Sequence, residues 1–138
     1  MIILDTNVLS ALMHTSPDQK VAAWLDRQPP SSVWITSITV LEIRFGFQIL
    51  PAGKRRTLLV EAFDALLEQM SQRVIPFDVS AADHAANLMA TRRKKGRPVD
   101  LRDTMIAGIV VAQRAALATR NVSHFGDIPA TVVNPWTA

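Results

Sequence analysis

Residues 1–10 read MIILDTNVLS, and this stretch decides how the rest of the chain is interpreted. Four apolar residues are followed at once by Asp5 and by the polar pair Thr6 and Asn7. The apolar run predicts a short buried strand that ends at the aspartate. A carboxylate at that place either caps the following helix or takes part in chemistry, and the positions of the other acidic residues bear on which role it has.

Short apolar runs alternate with longer amphipathic stretches along the rest of the chain. Further strands are predicted at residues 33–35, 74–77, 117–119 and 131–133, with helices between them. Ser80 and Asp83 resemble a capping box and are expected to open one of these helices. This alternation predicts an α/β fold with a mostly parallel sheet of four to five strands flanked by helices on both faces. Without repeats or a composition break, residues 1–138 are expected to form a single domain.

Composition excludes several classes of protein. The chain contains no cysteine, which rules out a thiol nucleophile, a thiolate zinc site and an iron–sulfur cluster. No apolar run approaches the roughly 18 residues that a membrane span requires, and the first residues lack the order of a signal peptide. We therefore expect a cytoplasmic protein without membrane association.

Basic residues are concentrated in two places. Fifteen Lys and Arg residues stand against twelve Asp and Glu residues, and eight of the fifteen lie within residues 54–56 and 92–97. Clustered positive charge suits a polyanion such as nucleic acid. Alternatively, both clusters only solvate helix ends, where the helix dipole also favours cations. The candidate nucleic-acid-binding residues are Lys54, Arg55, Arg56, Arg93, Lys94, Lys95 and Arg97.

Two further acidic positions are candidates to join Asp5. In open parallel sheets the reactive crevice lies beyond the carboxyl ends of the strands, where Asp5 is expected. Glu42 lies inside a predicted helix between Leu41 and Ile43, one turn beyond the second strand, and an acid in so apolar a setting is unusual unless it faces a site. The alternative is a glutamate on the helix surface with Arg44 nearby.

The second position lies at the start of the last long helix. Asp100 and Asp103 precede an apolar stretch, and one of them is expected to cap that helix. Asp103 is closest to the apolar run and would be carried on a rigid element beside the fourth strand. Asn121 follows the fourth strand as Asp5 follows the first, so it is the fourth candidate.

Carboxylates that converge without cysteine or a suitable histidine pair form a site for hard cations. Such a site prefers Mg²⁺, with Mn²⁺ as a substitute. Phosphodiester hydrolysis is the chemistry that fits, because a metal ion orients and polarises water and stabilises charge on the phosphate oxygens. The three histidines lack zinc-site spacing and are interpreted as surface or loop residues.

Four segments of the chain are recognisable together. These are ILDTNVLSAL (3–12), TSITVLEIRFG (36–46), GRPVDLRDTMIAG (96–108) and LATRNVSHF (117–125). In this order they resemble the PIN-domain family and, more narrowly, the VapC-type toxins of bacterial toxin–antitoxin pairs, including the FitB-like branch. The resemblance extends over essentially the whole chain, down to the closing VVNPW (132–136).

The resemblance implies a Mg²⁺-dependent ribonuclease. Asp5 and Asp103 match the metal-binding aspartates, Glu42 matches the third acidic residue, and Thr6 matches the hydroxyl beside the first aspartate. The fourth position of the family is often aspartate and is Asn121 here. Because a neutral amide attracts a cation less strongly than a carboxylate, we expect one resident metal, with a second arriving only with substrate.

The resemblance also implies partners. Besides its RNA substrate, a cognate antitoxin is expected to block the acidic groove with a C-terminal segment, while its own N-terminal part binds operator DNA, so that DNA contact is indirect. A homodimer is expected, with the stripe 58–70 and the surface around Phe45 and Phe47 as candidate contacts. Asp100 is the reserve ligand. The alternative function is a catalytically weak PIN-like module that binds nucleic acid or the antitoxin.

Overall fold

A computed structural model of the protein describes residues 1–97 and 99–138. Within these residues, five short strands form one sheet in the order β3-β2-β1-β4-β5, and every neighbouring pair is parallel. The predicted α/β fold with a parallel sheet is therefore confirmed. The strands are β1 (Ile2–Leu4), β2 (Val33–Thr36), β3 (Val74–Ile75), β4 (Ala116–Ala118) and β5 (Val132–Val133).

The helices begin and end close to the predicted positions. They are α1 (Thr6–Met13), α2 (Gln19–Asp26), α3 (Ser37–Ile49), α4 (Lys54–Gln69), α5 (Val79–Lys94) and α6 (Leu101–Gln113), with short 3₁₀ turns at Pro30–Ser32 and Val122–Phe125. The predicted cap of α5 at Ser80 is wrong. Asp78 caps this helix instead, because its carboxylate accepts the backbone N–H of Ala81 at 2.9 Å.

The order of the strands places β1 at the point where the topology reverses. From β1 the chain passes outward to β2 and β3, and it then returns to the other side of β1 to form β4 and β5. Crevices for ligands in such sheets lie beyond the carboxyl ends of the strands at this reversal. The residue that follows β1 is Asp5, and its backbone N–H donates to the carbonyl of Ala118 at 2.9 Å.

Two apolar cores lie on the two faces of the sheet. Because successive side chains of a strand point to opposite faces, Leu4 packs into the core under α1 to α4 while Ile3 packs into the core under α5 and α6. Phe63 and Ile106, each fully buried, belong to the first and the second core respectively. Burial of each such side chain contributes about 2 kcal/mol.

Helices α5 and α6 approach each other to backbone contact. A Cβ atom placed on Gly108 would lie 2.5 Å from the carbonyl oxygen of Ala81 and 2.8 Å from the Cβ of Ala85. Only glycine fits there, so the pair is held at a fixed spacing. This spacing sets where the C-terminal turns of α5 meet the first turn of α6. No helix in the described part of the chain is long and apolar enough to cross a membrane.

Candidate active site

Asp5 is both a helix cap and a buried carboxylate. Its Oδ1 accepts the backbone N–H of Thr6 at 2.8 Å, at the N-terminus of α1. Its Oδ2 accepts the hydroxyl of Thr119, at the end of β4, at 2.7 Å. The residue is only 3 % exposed. The structure therefore confirms the interpretation of Asp5 as a helix cap, and the burial of its carboxylate is compatible with a role in chemistry.

The pKa of Asp5 is raised from its ordinary value of 3.8 to about 6. Burial is the main cause, since it disfavours the charged form. The hydrogen bonds from Thr119 and Thr6 oppose this effect, while the negative charges of Asp103 and Glu42 add to it. The end of β1 thus carries an excess of negative charge that a bound cation would relieve.

Glu42, which lies on α3, faces the same end of β1 as Asp5. Its Oε1 accepts the hydroxyl of Thr6 at 2.8 Å, and that hydroxyl also lies 3.0 Å from the hydroxyl of Thr39. The interpretation of Glu42 as a surface glutamate beside Arg44 is not supported, because Arg44 pairs with Asp64 at 2.7 Å. Three of the four recognisable segments contribute to the cluster through Asp5, Glu42 and Asp103.

Asp103 lies in the first turn of α6, whereas Asp100 caps that helix by accepting the N–H of Arg102 at 2.8 Å. The division of roles between the two aspartates agrees with the sequence analysis. Asp103 is partly buried, and its Oδ2 lies 3.0 Å from Nδ1 of His124 in the 3₁₀ turn. A carboxylate here is also favoured by the positive end of the helix dipole.

Asn121 stands at the rim rather than inside the cluster. It follows β4 by three residues, it is exposed, and its backbone N–H donates to Thr119 Oγ1 at 3.1 Å. Across the described ranges its side chain makes no hydrogen bond. The polar residue that β4 delivers to the site is Thr119, which sequence reasoning missed. The sequence alone does not reveal it, because the parallel pairing of Leu4 with Ala118, after which Asp5 and Thr119 follow, is visible only in the structure.

Three further residues of the site were not foreseen. Asn7 Oδ1 accepts the N–H of Arg120 at 3.2 Å and so ties the first turn of α1 to the end of β4. Arg102 places its guanidinium 3.8 Å from Oε2 of Glu42 and 3.5 Å from Oδ1 of Asp100. His124 was interpreted as a loop residue, and nothing in the sequence pattern shows that the 3₁₀ turn brings it to Asp103.

The second basic cluster is divided by the fold. Arg93, Lys94, Lys95 and Arg97 are exposed, as a nucleic-acid-binding surface requires. Arg92, which the sequence analysis counted in the same cluster, is buried and pairs with Asp127. Its assignment to a surface cluster was wrong, because the end of α5 packs one side of the run against α6.

A groove of about 730 Å³ leads away from Glu42 between α1, α3 and α4. Its walls are mostly apolar. Lys54 and Arg55 line its far end, so the groove is acidic at the active site and basic at the opposite end. The lining residues include Met13, Ile43, Gly46, Phe47, Leu58 and Leu59.

The candidate contact surface separates into buried and exposed parts. Phe47 and Phe63 are core residues whose rings meet edge to face at 5.8 Å. Leu41, Phe45 and Ile49 share one face of α3, and all three are more than half exposed. We call these three residues the α3 stripe. An exposed apolar stripe of this kind indicates a contact with another molecule.

The acidic side chains of the site are suited to a partly hydrated metal ion rather than to a fully protein-bound one. Among residues 1–97 and 99–138, no three His, Cys, Asp or Glu side chains are close enough to hold a metal ion as a complete set. Mg²⁺ usually keeps several waters and binds only one or two carboxylates directly. The excess negative charge around the buried Asp5 fits such a partly hydrated cation.

Comparison with known proteins gives consistent results. The model of the family described as PIN domain matches residues 2–129. The chain is 40 % identical over 137 residues to a protein named VapC ribonuclease Y4jK of Sinorhizobium fredii, covering 99 % of this chain and 98 % of the relative. It is 33 % identical over 137 residues to a protein named Toxin FitB of Neisseria gonorrhoeae, covering 99 % of both chains.

Solved structures show the same fold. The structure of FitAB bound to an IR36 DNA fragment contains a chain that superposes with a TM-score of 0.91 at 33 % identity. The match covers 99 % of this chain and 96 % of the other. The similarity therefore extends over nearly the whole chain.

Proposed function

The chain belongs to the PIN domain family, and from this membership we propose that it is the ribonuclease toxin of a toxin–antitoxin pair. It hydrolyses phosphodiester bonds of RNA in the cytoplasm, as a single PIN domain formed by residues 1–138. The observation that carries the proposal is the buried carboxylate of Asp5, whose pKa is raised to about 6 by burial and by the charges of Asp103 and Glu42. A site of this charge serves a bound cation and a phosphate.

Asp5 and Asp103 are the residues that would hold a Mg²⁺ ion, for which Mn²⁺ can substitute. When bound, the ion supplies an acidified water and stabilises negative charge on the phosphate oxygens. The hydrogen bond from Thr119 keeps Oδ2 of Asp5 oriented. Asn121, at the rim, supports one resident ion rather than two, because a neutral amide adds no charge to the site.

Glu42 accepts a proton from the attacking water. The hydroxyl of Thr6 donates to Oε1 of Glu42 at 2.8 Å, and the other carboxylate oxygen, Oε2, faces Arg102. The water attacks phosphorus as its proton passes to the carboxylate of Glu42, the bond to the leaving oxygen breaks, and the departing oxygen takes a proton from solvent. A positioned general base of this kind contributes about 10²–10⁴-fold to rate.

RNA is held by cations outside the acidic cluster, of which Arg56 is partly buried and the others are exposed. Lys54, Arg55 and Arg56 start α4, and the group Arg93, Lys94, Lys95 and Arg97 ends α5 and continues beyond it. These side chains bind phosphates flanking the scissile bond. Because binding to phosphates releases counterions, affinity for RNA should fall steeply with salt.

The partner is an antitoxin, a segment of which occupies the groove. The groove is apolar along its walls, with Glu42 at one end and Lys54 and Arg55 at the other. A segment with apolar side chains, a basic residue near Glu42 and an acidic residue near Lys54 matches this pattern. The structure titled FitAB bound to DNA supports indirect operator binding, through the antitoxin.

Gly46 allows a direct test of this docking. A Cβ added there meets no atom within 4 Å, so Gly46→Leu projects into the groove without disturbing α3. We expect the antitoxin to bind at least about tenfold more weakly, since overpacking costs 1–3 kcal/mol. Unchanged affinity in a calorimetric titration would place the antitoxin elsewhere.

The α3 stripe is assigned to contact between two copies of the chain. Leu101 at the start of α6 is also more than half exposed, and its neighbour Arg102 reaches Glu42, which lies beside Leu41 of the stripe. The apolar surface is therefore adjacent to the rim of the site. Phe45→Glu should convert a dimer to a monomer in sedimentation experiments.

Expression in a bacterial host tests the proposal as a whole. We expect growth arrest with the wild-type protein, no arrest with Asp5→Asn, and recovery when the gene of the cognate antitoxin is co-expressed. RNA from arrested cells should contain cleavage products that are absent with Asp5→Asn. Arrest that persists in the Asp5→Asn strain would favour the alternative, a binding module without catalysis.

A further inference from the structure

We propose that Arg92 is a positioning residue that holds Asp103 and residues 121–127 in the arrangement the active site needs. The inference rests on the proposed function, because it concerns the same site. Arg92 touches no reacting group, and it acts through the first turn of α6 and through the loop that carries His124. The sequence gives no sign of this role, since Arg92 lies within a run of basic residues.

The first observation is the burial of a charge whose three nitrogen atoms all donate hydrogen bonds. The side chain of Arg92 is 3 % exposed. Its Nε and one terminal nitrogen donate to the two carboxylate oxygens of Asp127 at 2.9 and 2.8 Å, in a two-pronged arrangement. The same terminal nitrogen donates to the carbonyl of His124 at 2.8 Å, and the other donates to the hydroxyl of Thr104 at 2.9 Å.

The second observation is where these bonds lead. Thr104 directly follows Asp103, and its hydroxyl also donates to the carbonyl of Asp100 at 3.1 Å, within the first turn of α6. His124 lies in the 3₁₀ turn, and its ring contacts Asp103 at 3.0 Å. Arg92 therefore reaches Asp103 from two directions, once along α6 and once through the loop.

The third observation is that apolar packing already anchors the loop. Phe125 and Ile128 are buried in the core beneath α5 and α6. If holding the loop in place were all that was needed, an apolar residue at position 92 would serve. A guanidinium adds a fixed orientation of hydrogen bonds, because its donors lie in a rigid plane. These donors fix the carbonyl of His124 and the hydroxyl of Thr104 relative to each other.

The charge of Arg92 also acts on its partner. The pKa of Asp127 is lowered, first because Arg92 donates hydrogen bonds to it and further because of the charges of Arg92 and Arg97. Asp127 therefore stays ionised beside the arginine. With the pair neutral as a whole, Arg92 does not cancel the negative charge that Asp5, Glu42 and Asp103 present to a cation.

The test replaces the whole pair by apolar residues of similar size, as Arg92→Met with Asp127→Leu. Exchange of both partners avoids an unpaired buried charge and is often neutral for stability. The matched control exchanges an exposed ion pair of similar length outside the site, as Arg44→Met with Asp64→Leu. Arg92→Lys is a third variant, which keeps the charge and loses the planar fork. Thermal unfolding in EDTA confirms that each variant is folded.

The readout is the affinity for Mn²⁺ alone, measured by calorimetry and by the electron paramagnetic resonance of free Mn²⁺. We expect about tenfold weaker binding for the double Arg92 variant, in line with loss of groups that orient metal ligands. Arg92→Lys should also bind Mn²⁺ more weakly than wild type does. The control variant with Arg44→Met and Asp64→Leu should bind Mn²⁺ with wild-type affinity. In RNA cleavage at saturating Mn²⁺, kcat should fall in both Arg92 variants with little change in KM.

The outcomes separate this inference from the proposed function. If wild type binds Mn²⁺, Asp103→Asn does not, and the Arg92 variants bind as wild type, the positioning role is overturned while the metal site stands. If wild type itself binds no Mn²⁺, the metal site of the proposed function fails and the inference fails with it. Should the double variant not fold, wild-type affinity in Arg92→Lys overturns the inference on its own.

Discussion

Two charged clusters meet at the first turn of α6, and they differ in whether their charges are balanced. In one, the negative charges of Glu42 and Asp103 act on the buried Asp5, with Arg102 as a half-exposed cation at the edge. In the other, Arg92 is buried against Asp127, and each of its donating nitrogens has a partner. The first cluster is unbalanced in charge, and the second is balanced.

The difference indicates what each cluster is for. Burial of like charges lowers stability, and it is tolerated where a bound cation restores the balance. An arginine that is paired with a carboxylate and donates from all three nitrogen atoms adds no net charge to the pair, and it contributes a fixed geometry. The unfavourable burial of like charges is thus confined to the place where the ligand binds. The fixed geometry of Arg92 and Asp127 lies immediately beside it.

The largest effect is expected where the unbalanced cluster is altered. Asp103→Asn should lower kcat for RNA cleavage by about a thousandfold, because the contribution of a metal ion is several kcal/mol and each 1.36 kcal/mol is tenfold in rate. Circular dichroism and thermal unfolding should show an intact fold. A variant that cleaves at the wild-type rate would remove Asp103 from the site.

Removal of one partner from the balanced cluster should destabilise the whole protein. Asp127→Ala leaves the charge of Arg92 buried and unpaired, at a cost of about 3 kcal/mol in the free energy of unfolding. Denaturant unfolding at pH 7 measures the difference, with Asp64→Ala as the control for an exposed pair. If both variants lose equally little free energy of unfolding, the charge of Arg92 does not depend on its pairing with Asp127 as the structure indicates.

The pH dependence of stability should have opposite signs in the two clusters. Since the pKa of Asp5 is raised to about 6, the folded state binds more protons between pH 4 and 6, and its stability in EDTA falls as pH rises through that window. The pKa of Asp127 is lowered by Arg92, so the stability from this pair is lost as pH falls below the ordinary range of an aspartate.

Asp5→Asn isolates the first of these effects. The variant cannot ionise at position 5, so at pH 8 in EDTA it should be more stable than wild type by about 1–3 kcal/mol, and below pH 4 the two should be equal. Addition of Mn²⁺ should reduce the difference by stabilising wild type alone. A wild-type protein whose stability is flat between pH 4 and 6 would contradict the raised pKa.

The smallest effect is expected for charges that lie outside both clusters. Lys94→Ala with Lys95→Ala removes two exposed cations at the end of α5, and the slope of log affinity for single-stranded RNA against log salt should fall by about 1.4. Lys20→Ala, at an exposed position of α2, is the control. An unchanged slope would mean that these lysines only solvate the helix end.

Sequence reasoning found the fold and the acidic residues for physical reasons that the structure makes plain. Apolar runs bounded by polar residues mark buried strands, and a parallel sheet necessarily brings their carboxyl ends together. Asp5 therefore lay where expected, and Asp103 was separated correctly from the capping Asp100. The hydrophobic pattern of the sequence does not give the order or the register of the strands. These two properties place Thr119 opposite Asp5.

The error at Arg92 arose because burial within a polar run leaves no mark in the sequence. Arg92 and Arg93 are adjacent and chemically identical, yet the first is buried and the second is exposed, because α5 packs only one side of its last turn against α6. His124 reaches Asp103 through a 3₁₀ turn that has no periodic pattern. The sequence pattern also does not show that the α3 stripe is exposed.

The most direct test of the central claim is the cleavage of a mixed RNA pool by the purified protein with Mg²⁺, with Mn²⁺ and with EDTA. Asp5→Asn is run beside wild type to expose contaminating nucleases, and Arg44→Met with Asp64→Leu serves as a control for substitution itself. We expect products with either metal, none in EDTA and none with Asp5→Asn. Products that persist in EDTA, or that appear equally with Asp5→Asn, would contradict a metal-dependent site built on Asp5.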